Sequence, residues 1–457
     1  MPTLSFVPAD VLSVMKKIHD AGFGVWVVGG ALRDLLLGIE PKDWDLATSA
    51  SAGKIISVFP RVIPVGIRHG TVQVRTRTRD IEVTSFEPSE EAGILKDLRR
   101  RDFTINSIAL SYPDGHIIDP NRGREDLKAG LVRAVEDPRA RFSEDPLRIV
   151  RAARICAVYG FKTDTATFEA MRQTVGGLES VSGERVRDEI LKILQAGNLS
   201  AGFELLKDAG ALGKLLPGLM TLDRPETDRL TCENVYEHTV CCLLNCPERV
   251  RIRLAALFHV AAPPAELAGS GRRPMDFRSA SAHAAAHTMK KWNMSNRSIN
   301  EVSTLISHQL QPESLSWSDF RIRRFITEVG PKLLEDSLSL AEAEILCAKA
   351  SAHSAAPVNS KMPAGHSSGW AGHGENKRSG IERVGKLAAR MRIQLEAIPA
   401  MSVRELALSG DDIMKFLDLK PGPQVGKVLD SLFEMVLADP ELNTRDHLTS
   451  IVLEKFR

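Results

Sequence analysis

The chain has 457 residues, of which 43% are hydrophobic and 26% charged, with a formal net charge of +2. That length exceeds one ordinary core and predicts roughly two to four domains, while the composition excludes a disordered chain. Aromatics at 5%, beside abundant Leu, Ala and Arg, exclude an all-β architecture.

In chain order, Asp10 to Ala21 carries apolar residues at helical spacing, and Val25 to Val28 is a short β-branched run. Gly29-Gly30 then turns the chain before a helix predicted from Ala31 to Leu37. Strands are predicted at Asp43 to Ala47, Val62 to Val65, Thr71 to Thr76 and Ile81 to Phe86. Beyond Asp145 the strand signal fades, and helices are predicted at Arg148 to Tyr159, Glu184 to Gln195 and Phe203 to Leu212. An α/β head is therefore expected to end near Asp137, followed by helices. Pro263 to Pro274 reads as a loop, Ala350 to Gly380 as a low-complexity tract, and Gly410 to Phe456 as a last helical segment.

Met1 to Asp10 lacks the basic-then-apolar order of an export signal, and no run approaches about 18 apolar residues, so a cytoplasmic protein without a membrane span is expected. The six cysteines, at 156, 232, 241, 242, 246 and 347, show no CxxC spacing and are expected to be reduced. Cys232, Cys241, Cys242 and Cys246 with His238 could hold zinc, but on a helix-like pattern they are expected to pack as small apolar groups. Net charge does not announce nucleic acid. Basic residues do bunch at Arg99-Arg100-Arg101, Arg139/Arg141 and Arg148/Arg151/Arg154, a pattern that on charge alone reads better as a solvated face.

Chemistry concentrates early. Gly29-Gly30 at a helix start lets backbone approach an anion. In Asp43-Trp44-Asp45, an extended segment sends both carboxylates to one side, where they repel unless solvated or bridged by a divalent cation. Glu82, on a neighbouring predicted strand, is the candidate third oxygen ligand.

Six ordered motifs then carry a resemblance: Gly29-Gly30-Ala31-Leu32-Arg33-Asp34, Asp43-Trp44-Asp45, Gly66-Ile67-Arg68-His69-Gly70-Thr71-Val72, Arg100-Arg101-Asp102-Phe103-Thr104-Ile105-Asn106, Glu144-Asp145-Pro146-Leu147-Arg148 and Glu184-Arg185-Val186-Arg187-Asp188-Glu189. Together they resemble the class II tRNA nucleotidyltransferase and bacterial poly(A) polymerase family, closely over residues 22–220 and more loosely beyond, where Leu408 to Asp412 and Lys420 to Pro423 resemble its tRNA-binding end. The resemblance implies a polymerase β-like nucleotidyltransferase head (1–137), a helical neck for base recognition (138–225), a helical body (226–380) and a helical tRNA-binding tail (381–457). It implies Mg²⁺-dependent, template-independent transfer from CTP and ATP to the 3′ end of tRNA, held by its acceptor and T arms. Carried over, Asp43 and Asp45 hold metal with Glu82 beside them. Gly29, Gly30 and Arg33 meet the triphosphate, Arg101 and Asp102 lie by the ribose, and Asn106 and Arg151 belong to the nucleotide site. Glu184, Arg185 and Glu189 are expected to be scaffold.

Asp145 and Arg148 are implied to read the base, and chemistry supports this. Three residues apart on a helix, they would stand side by side, one accepting and one donating. Cytosine and adenine both offer an exocyclic amine beside an unprotonated ring nitrogen, which this pair matches. Guanine and uracil present the reverse and would leave buried polar groups unmatched, at about 1–3 kcal/mol per group. An intrahelical ion pair without a nucleotide role is the plain alternative.

Two departures from relatives follow. His238, His259, His283 or His287, and His308 have the spacing of an HD phosphohydrolase body, but Val260 stands where its Asp would follow His259, so these histidines are expected to be structural remnants. Between Phe86 and Asp97 there are only ten residues, Glu87 to Lys96, shorter than the flexible loop that complete CCA-adding relatives carry there. In the family that loop accompanies the switch from C to A, so addition of CC alone is expected. The alternatives are a full CCA-adding enzyme, a poly(A) polymerase, or an RNA-binding module without catalysis. The poly(A) branch is disfavoured by Gly66 to Thr71, and the module by the presence of both Asp43 and Asp45.

Overall fold

The protein is described from a computed structural model over residues 4–66, 70–86, 90–220, 235–261, 277–347 and 377–456. It divides into two compact units, Met1–Leu215 and Leu216–Arg457.

The first unit opens with α1 (Ala9–Asp20), β1 (Val25–Val28), α2 (Gly29–Leu36), β2 (Trp44–Thr48), α3 (Ala52–Val58), β3 (Val62–Gly66), β4 (Thr71–Arg75), β5 (Asp80–Ser85), α4 (Glu90–Arg99), β6 (Ala109–Tyr112) and β7 (Ile117–Ile118). The strands form one mixed sheet in the order β3-β4-β5-β2-β1-β6-β7. Only β2 and β5 run parallel; β1 lies antiparallel between β2 and β6. Alternation sets the faces: Val25, Val27, Leu46, Val72, Val74, Ile81 and Val83 are buried.

Helices take over after β7: α5 (Gly123–Ala129), α6 (Pro138–Glu144), α7 (Leu147–Tyr159), α8 (Thr165–Thr174), α9 (Gly183–Leu194), α10 (Leu199–Asp208) and α11 (Ala211–Leu215). Asp137 caps α6 by accepting from the Arg139 amide, and a short parallel strand pair, Leu131-Val132 with Lys162-Thr163, spans this position. The core of this half is α7, packed on α9 and α10. A Cβ on Gly202 would sit 2.9 Å from Ala157 Cβ and 3.0 Å from the Ala153 carbonyl oxygen, so the α7–α10 crossing requires glycine.

The second unit is helical throughout its described residues. It contains α12 (Val235–Asn245), α13 (Val250–Phe258) and helices Phe277–Lys291, Asn296–Ser307, Asp319–Val329, Leu334–Cys347 and Lys377–Ala397. The last three helices, Gly410–Leu417, Pro423–Ala438 and Arg445–Lys455, enclose an apolar cluster of their own around Ile413, Leu432, Val436, Leu448 and Val452. No described helix is long and apolar enough to cross a membrane. Among the described residues no disulfide joins Cys156, Cys241, Cys242, Cys246 or Cys347.

Several local expectations are corrected. The glycine turn is the first turn of α2 itself, with Gly29 at φ +69°. Phe203 to Leu212 is not one helix: the chain breaks at Gly210, φ +76°, between α10 and α11. Most of Glu87 to Lys96 is helix, because α4 starts at Glu90; Glu87 to Ser89 lie outside the described residues. Strand β6 was not anticipated, since Ala109-Leu110-Ser111-Tyr112 has modest strand preference and owes its conformation to pairing with β1. The 225/226 division, Ile67 to His69, Cys232, the Pro263 to Pro274 loop and most of the Ala350 to Gly380 tract also lie outside the described residues, and 380/381 falls within the helix Lys377–Ala397.

Candidate active site

At one end of the sheet the register gathers the acidic residues. Asp45 pairs with Val28 on β1 and with Glu82 on β5. Trp44 turns into the core, 2% exposed, which leaves Asp43 and Asp45 on the opposite side. Burial and the facing Glu82 carboxylate, with Asp43 adding to them, push the Asp45 carboxyl up to about 6 against the pull of Arg101 and Arg151. A carboxylate held against its neighbours in this way is poised to accept a cation. The three carboxylates do not themselves close into a tight cage. Among the described residues the one group with three ligand atoms mutually within 4.8 Å is His238, Cys242 and His259 in the second unit.

Gly29 lies between Asp45 and Arg101. A Cβ there would stand 2.9 Å from Arg101 Nη1 and 3.3 Å from Asp45 Oδ2, and its backbone is left-handed, so no other residue fits. The first turn of α2 has no side-chain cap, which leaves amides of the Gly29-Gly30-Ala31 turn for an anion. Arg33 is buried and already engaged. It donates to Asp34 Oδ1, to Asn106 Oδ1 at 2.8 Å and to the Tyr159 hydroxyl, and stacks on the Tyr159 ring at 4.5 Å. Its guanidinium thus fixes α2, the Thr104–Asn106 turn and α7 together.

Behind this lies Asp102, 6% exposed. Burial alone would raise its carboxyl, but Arg151 at 2.9 Å, the Asn106 side-chain amide at 3.0 Å and the Phe103 amide together hold it below the usual carboxylate range. Arg101 is tied to Asp97 at 3.0 Å.

Asp145 and Arg148 reach the same space, but not as an intrahelical pair. Asp145 has extended backbone (φ −147°, ψ 95°) between α6 and α7, because Pro146 starts a new helix there. Its carboxylate instead accepts from Arg185 of α9 at 2.7 Å. The Arg148 guanidinium donates to the carbonyls of Arg141 (2.9 Å) and Arg100 (3.2 Å) and to Glu144. Arg185, expected as scaffold, holds Asp145 from α9, and Glu189 holds Arg154.

These residues line a single cleft of about 850 Å³: Gly29, Gly30 and Arg33 on α2, Asp43 and Asp45 by β2, Arg101, Asp102 and Asn106, then Asp145, Arg148 and Arg151. Glu82 is not on its wall. Arg154, Tyr159, Lys42 and Lys192 are further lining groups that sequence reasoning did not single out as site residues. Arg154 had a signal, its i+3 spacing from Arg151 on the face that begins with Arg148; Tyr159 had none.

In the second unit, the five histidines do not converge as one set. His238 and His259 meet, with Nε2 atoms 3.0 Å apart, whereas His283 and His287 are exposed and His308 bonds its own helix at Thr304.

Three family models match the chain: "Poly A polymerase head domain" over residues 25–133, "Probable RNA and SrmB- binding site of polymerase A" over 160–222, and "tRNA nucleotidyltransferase domain 2" over 379–452. A CCA-adding enzyme of Geobacillus sp. (strain WCH70) is 29% identical over 440 residues, covering 93% of this chain and 92% of that one. Among solved structures, the CCA-adding enzyme of Bacillus stearothermophilus in complex with CTP is similar with a TM-score of 0.71 at 24% identity, covering 100% of this chain and 98% of that one. The Thermotoga maritima CCA-adding enzyme complexed with tRNA follows at a TM-score of 0.58 and 20% identity, covering 100% and 99%.

Proposed function

We propose that this chain, a nucleotidyltransferase belonging to the tRNA nucleotidyltransferase and poly(A) polymerase family, adds CMP from CTP to the 3′ end of tRNA in the cytoplasm without a nucleic-acid template, and stops after two additions. The observation that carries the reading is the one cleft in which Asp43 and Asp45, the open first turn of α2, and Asp145 with Arg148 face a common space.

Divalent metal suits this site, since Asp45 is raised to about 6 by its burial and its acidic neighbours, a cost that a bound cation removes. Hard oxygen donors beside a triphosphate select magnesium, with Asp43 and Asp45 as its holders and Glu82 on the adjacent strand. When bound, it would neutralise phosphate charge as a 3′-hydroxyl attacks the α-phosphate and pyrophosphate leaves. The α2 amides hold phosphate oxygens. Arg33 acts from behind, keeping α2 and α7 in register rather than reaching freely into the cleft. Asp102, ionised and anchored by Arg151 and Asn106, sits where a ribose hydroxyl can donate to it.

Base choice rests on Asp145 accepting from an exocyclic amine and Arg148 donating to the adjacent ring nitrogen. ATP presents the same edge, so only a re-aimed pair would accept it in turn. Serving both bases requires re-aiming the pair, and the ten residues Glu87 to Lys96 are fewer than the loop that complete CCA-adding relatives carry there.

The test is tRNA ending at the discriminator base, incubated with CTP and ATP. Products two nucleotides longer are expected. A product three longer, ending in A, removes the CC-only reading and leaves tRNA 3′-end transfer standing. A long adenosine tail would instead favour a poly(A) polymerase, and tRNA binding without extension an RNA-binding module.

A further inference from the structure

The His238, Cys242, His259 group belongs to no part of the transfer site. His238 and Cys242 lie four apart on α12 and so share one face. His259 caps the C-terminus of α13, and Glu344 comes from helix Leu334–Cys347. His238, Cys242 and His259 are 6%, 0% and 1% exposed. His238 Nε2 is 3.0 Å from His259 Nε2, and Cys242 Sγ is 3.7 Å and 4.0 Å from the two nitrogens. A Glu344 oxygen stands 3.3 Å from His259 Nε2 and is held by the Gln309 side-chain amide.

These separations match the edges of a coordination tetrahedron. With zinc–nitrogen bonds of 2.0–2.1 Å and zinc–sulfur bonds of 2.3 Å, ligand nitrogens stand about 3.3 Å apart and a nitrogen and sulfur about 3.6 Å. The tautomer fits as well. His259 Nδ1 lies 2.7 Å from the Ala256 carbonyl oxygen, which requires that nitrogen to donate and leaves Nε2, on a neutral ring, as a lone pair directed at the cluster. That lone pair can accept from His238 Nε2–H, 3.0 Å away, in the metal-free protein, and is equally placed to bind a cation shared with His238.

We infer that His238 Nε2, His259 Nε2 and Cys242 Sγ bind one zinc ion, with the Glu344 carboxylate beside His259 and outside this three-ligand group. The thiol gives up its proton on binding, so Cys242 and Glu344 together balance the charge of the ion. The ion ties α12 to the end of α13 at one buried point. It is a structural site, because its three protein ligands are buried away from solvent and substrate. The competing arrangement is a His259 imidazolium paired with Glu344, which needs no metal.

The experiment uses the full chain, untagged and expressed in zinc-supplemented medium, with zinc counted by inductively coupled plasma mass spectrometry after gel filtration. Stoichiometric zinc in the wild type is expected, falling at least fivefold in Cys242→Ser. Metal-free wild type is then titrated with Co²⁺. Thiolate-to-cobalt charge transfer and intense tetrahedral d–d bands are expected, and the charge-transfer band should be lost in Cys242→Ser. Wild-type protein with no zinc and no thiolate–cobalt band overturns the site and leaves the imidazolium–carboxylate pair. Zinc content equal in wild type and Cys242→Ser, with the variant folded by circular dichroism, overturns it also. Should Cys242→Ser not fold, the cobalt spectrum of the wild type decides alone.

Discussion

The chain holds two clusters of candidate metal ligands, and they are built in opposite ways. In the first unit, Asp43 and Asp45 flank a buried tryptophan at the start of a strand, their carboxylates on the wall of an open cleft and Asp45 strained by Glu82. In the second, two imidazoles and a thiol are buried among helices, and burial lowers His238 to about 4, so its ring stays neutral. Oxygen ligands at an open rim suit an ion that arrives with a substrate and must exchange. Nitrogen and sulfur ligands closed within a core suit an ion that stays.

The largest effect that could break this contrast is at Asp45. Asp45→Ala is expected to lower nucleotide incorporation by more than about a thousandfold, roughly 4 kcal/mol of barrier, with no fall in melting temperature because the change relieves repulsion. Incorporation within tenfold of wild type would mean that Asp45 holds no ion. A stability measurement sharpens the same point. Since the folded pKa of Asp45, about 6, lies above the ordinary 3.8, the native state favours the protonated carboxyl; that stability is full below pH 4 and is lost as pH rises through 6. Metal-free Asp45→Asn should therefore be more stable than wild type at pH 7.5, by at most about 3 kcal/mol, and equal to it at pH 4. A gain that persists at pH 4 would point to a cause other than ionisation. Magnesium should raise the wild-type melting temperature and not that of the variant.

Gly29→Ala comes next, at about 1–3 kcal/mol of local strain, because its Cβ must enter the 2.9 Å gap to Arg101 while keeping φ positive. Initial rates at saturating CTP should fall more than tRNA affinity does. Equal losses in both would place the strain outside the nucleotide site.

The contrast also marks what a sequence can and cannot reveal. Asp43 and Asp45 were legible because strand alternation is local: two carboxylates astride a tryptophan can share a side only if the segment is extended. Gly29-Gly30 was legible as a phosphate-approaching turn, though not as the helix's own first turn. The second cluster was legible only in part: His238 with Cys242 stood among the zinc candidates and His238 with His259 among the spaced histidines, but their convergence depends on helix packing that no local pattern encodes. The same holds for Arg185. Its position in α9 reads as an exposed helix face, and only the crossing of α9 beneath the α6–α7 junction brings it to Asp145. Strand β6 likewise depends on its partner β1 more than on its own residues.

The smallest predicted effect tests that unforeseen contact. In the structure one Asp145 oxygen accepts from Arg185 at 2.7 Å, and the other lies 3.3 Å from the Leu147 amide. Asp145→Ala or Arg148→Ala should raise misincorporation of U relative to C about tenfold or more, because the lost group is the proposed partner of the base edge. Arg185→Ala removes only the support. The Arg185 side chain is 51% exposed, so the ion pair is worth under about 1 kcal/mol, and a change in U-to-C ratio of about threefold is expected with kcat for CTP preserved. A loss equal to that of Asp145→Ala would mean that Arg185 touches the nucleotide itself. An unchanged ratio would mean that the Leu147 amide and Pro146 suffice to aim Asp145. The threefold outcome alone fits a base reader held from behind, in a cleft whose groups are positioned by arginines, unlike the metal-closed cluster of the second unit.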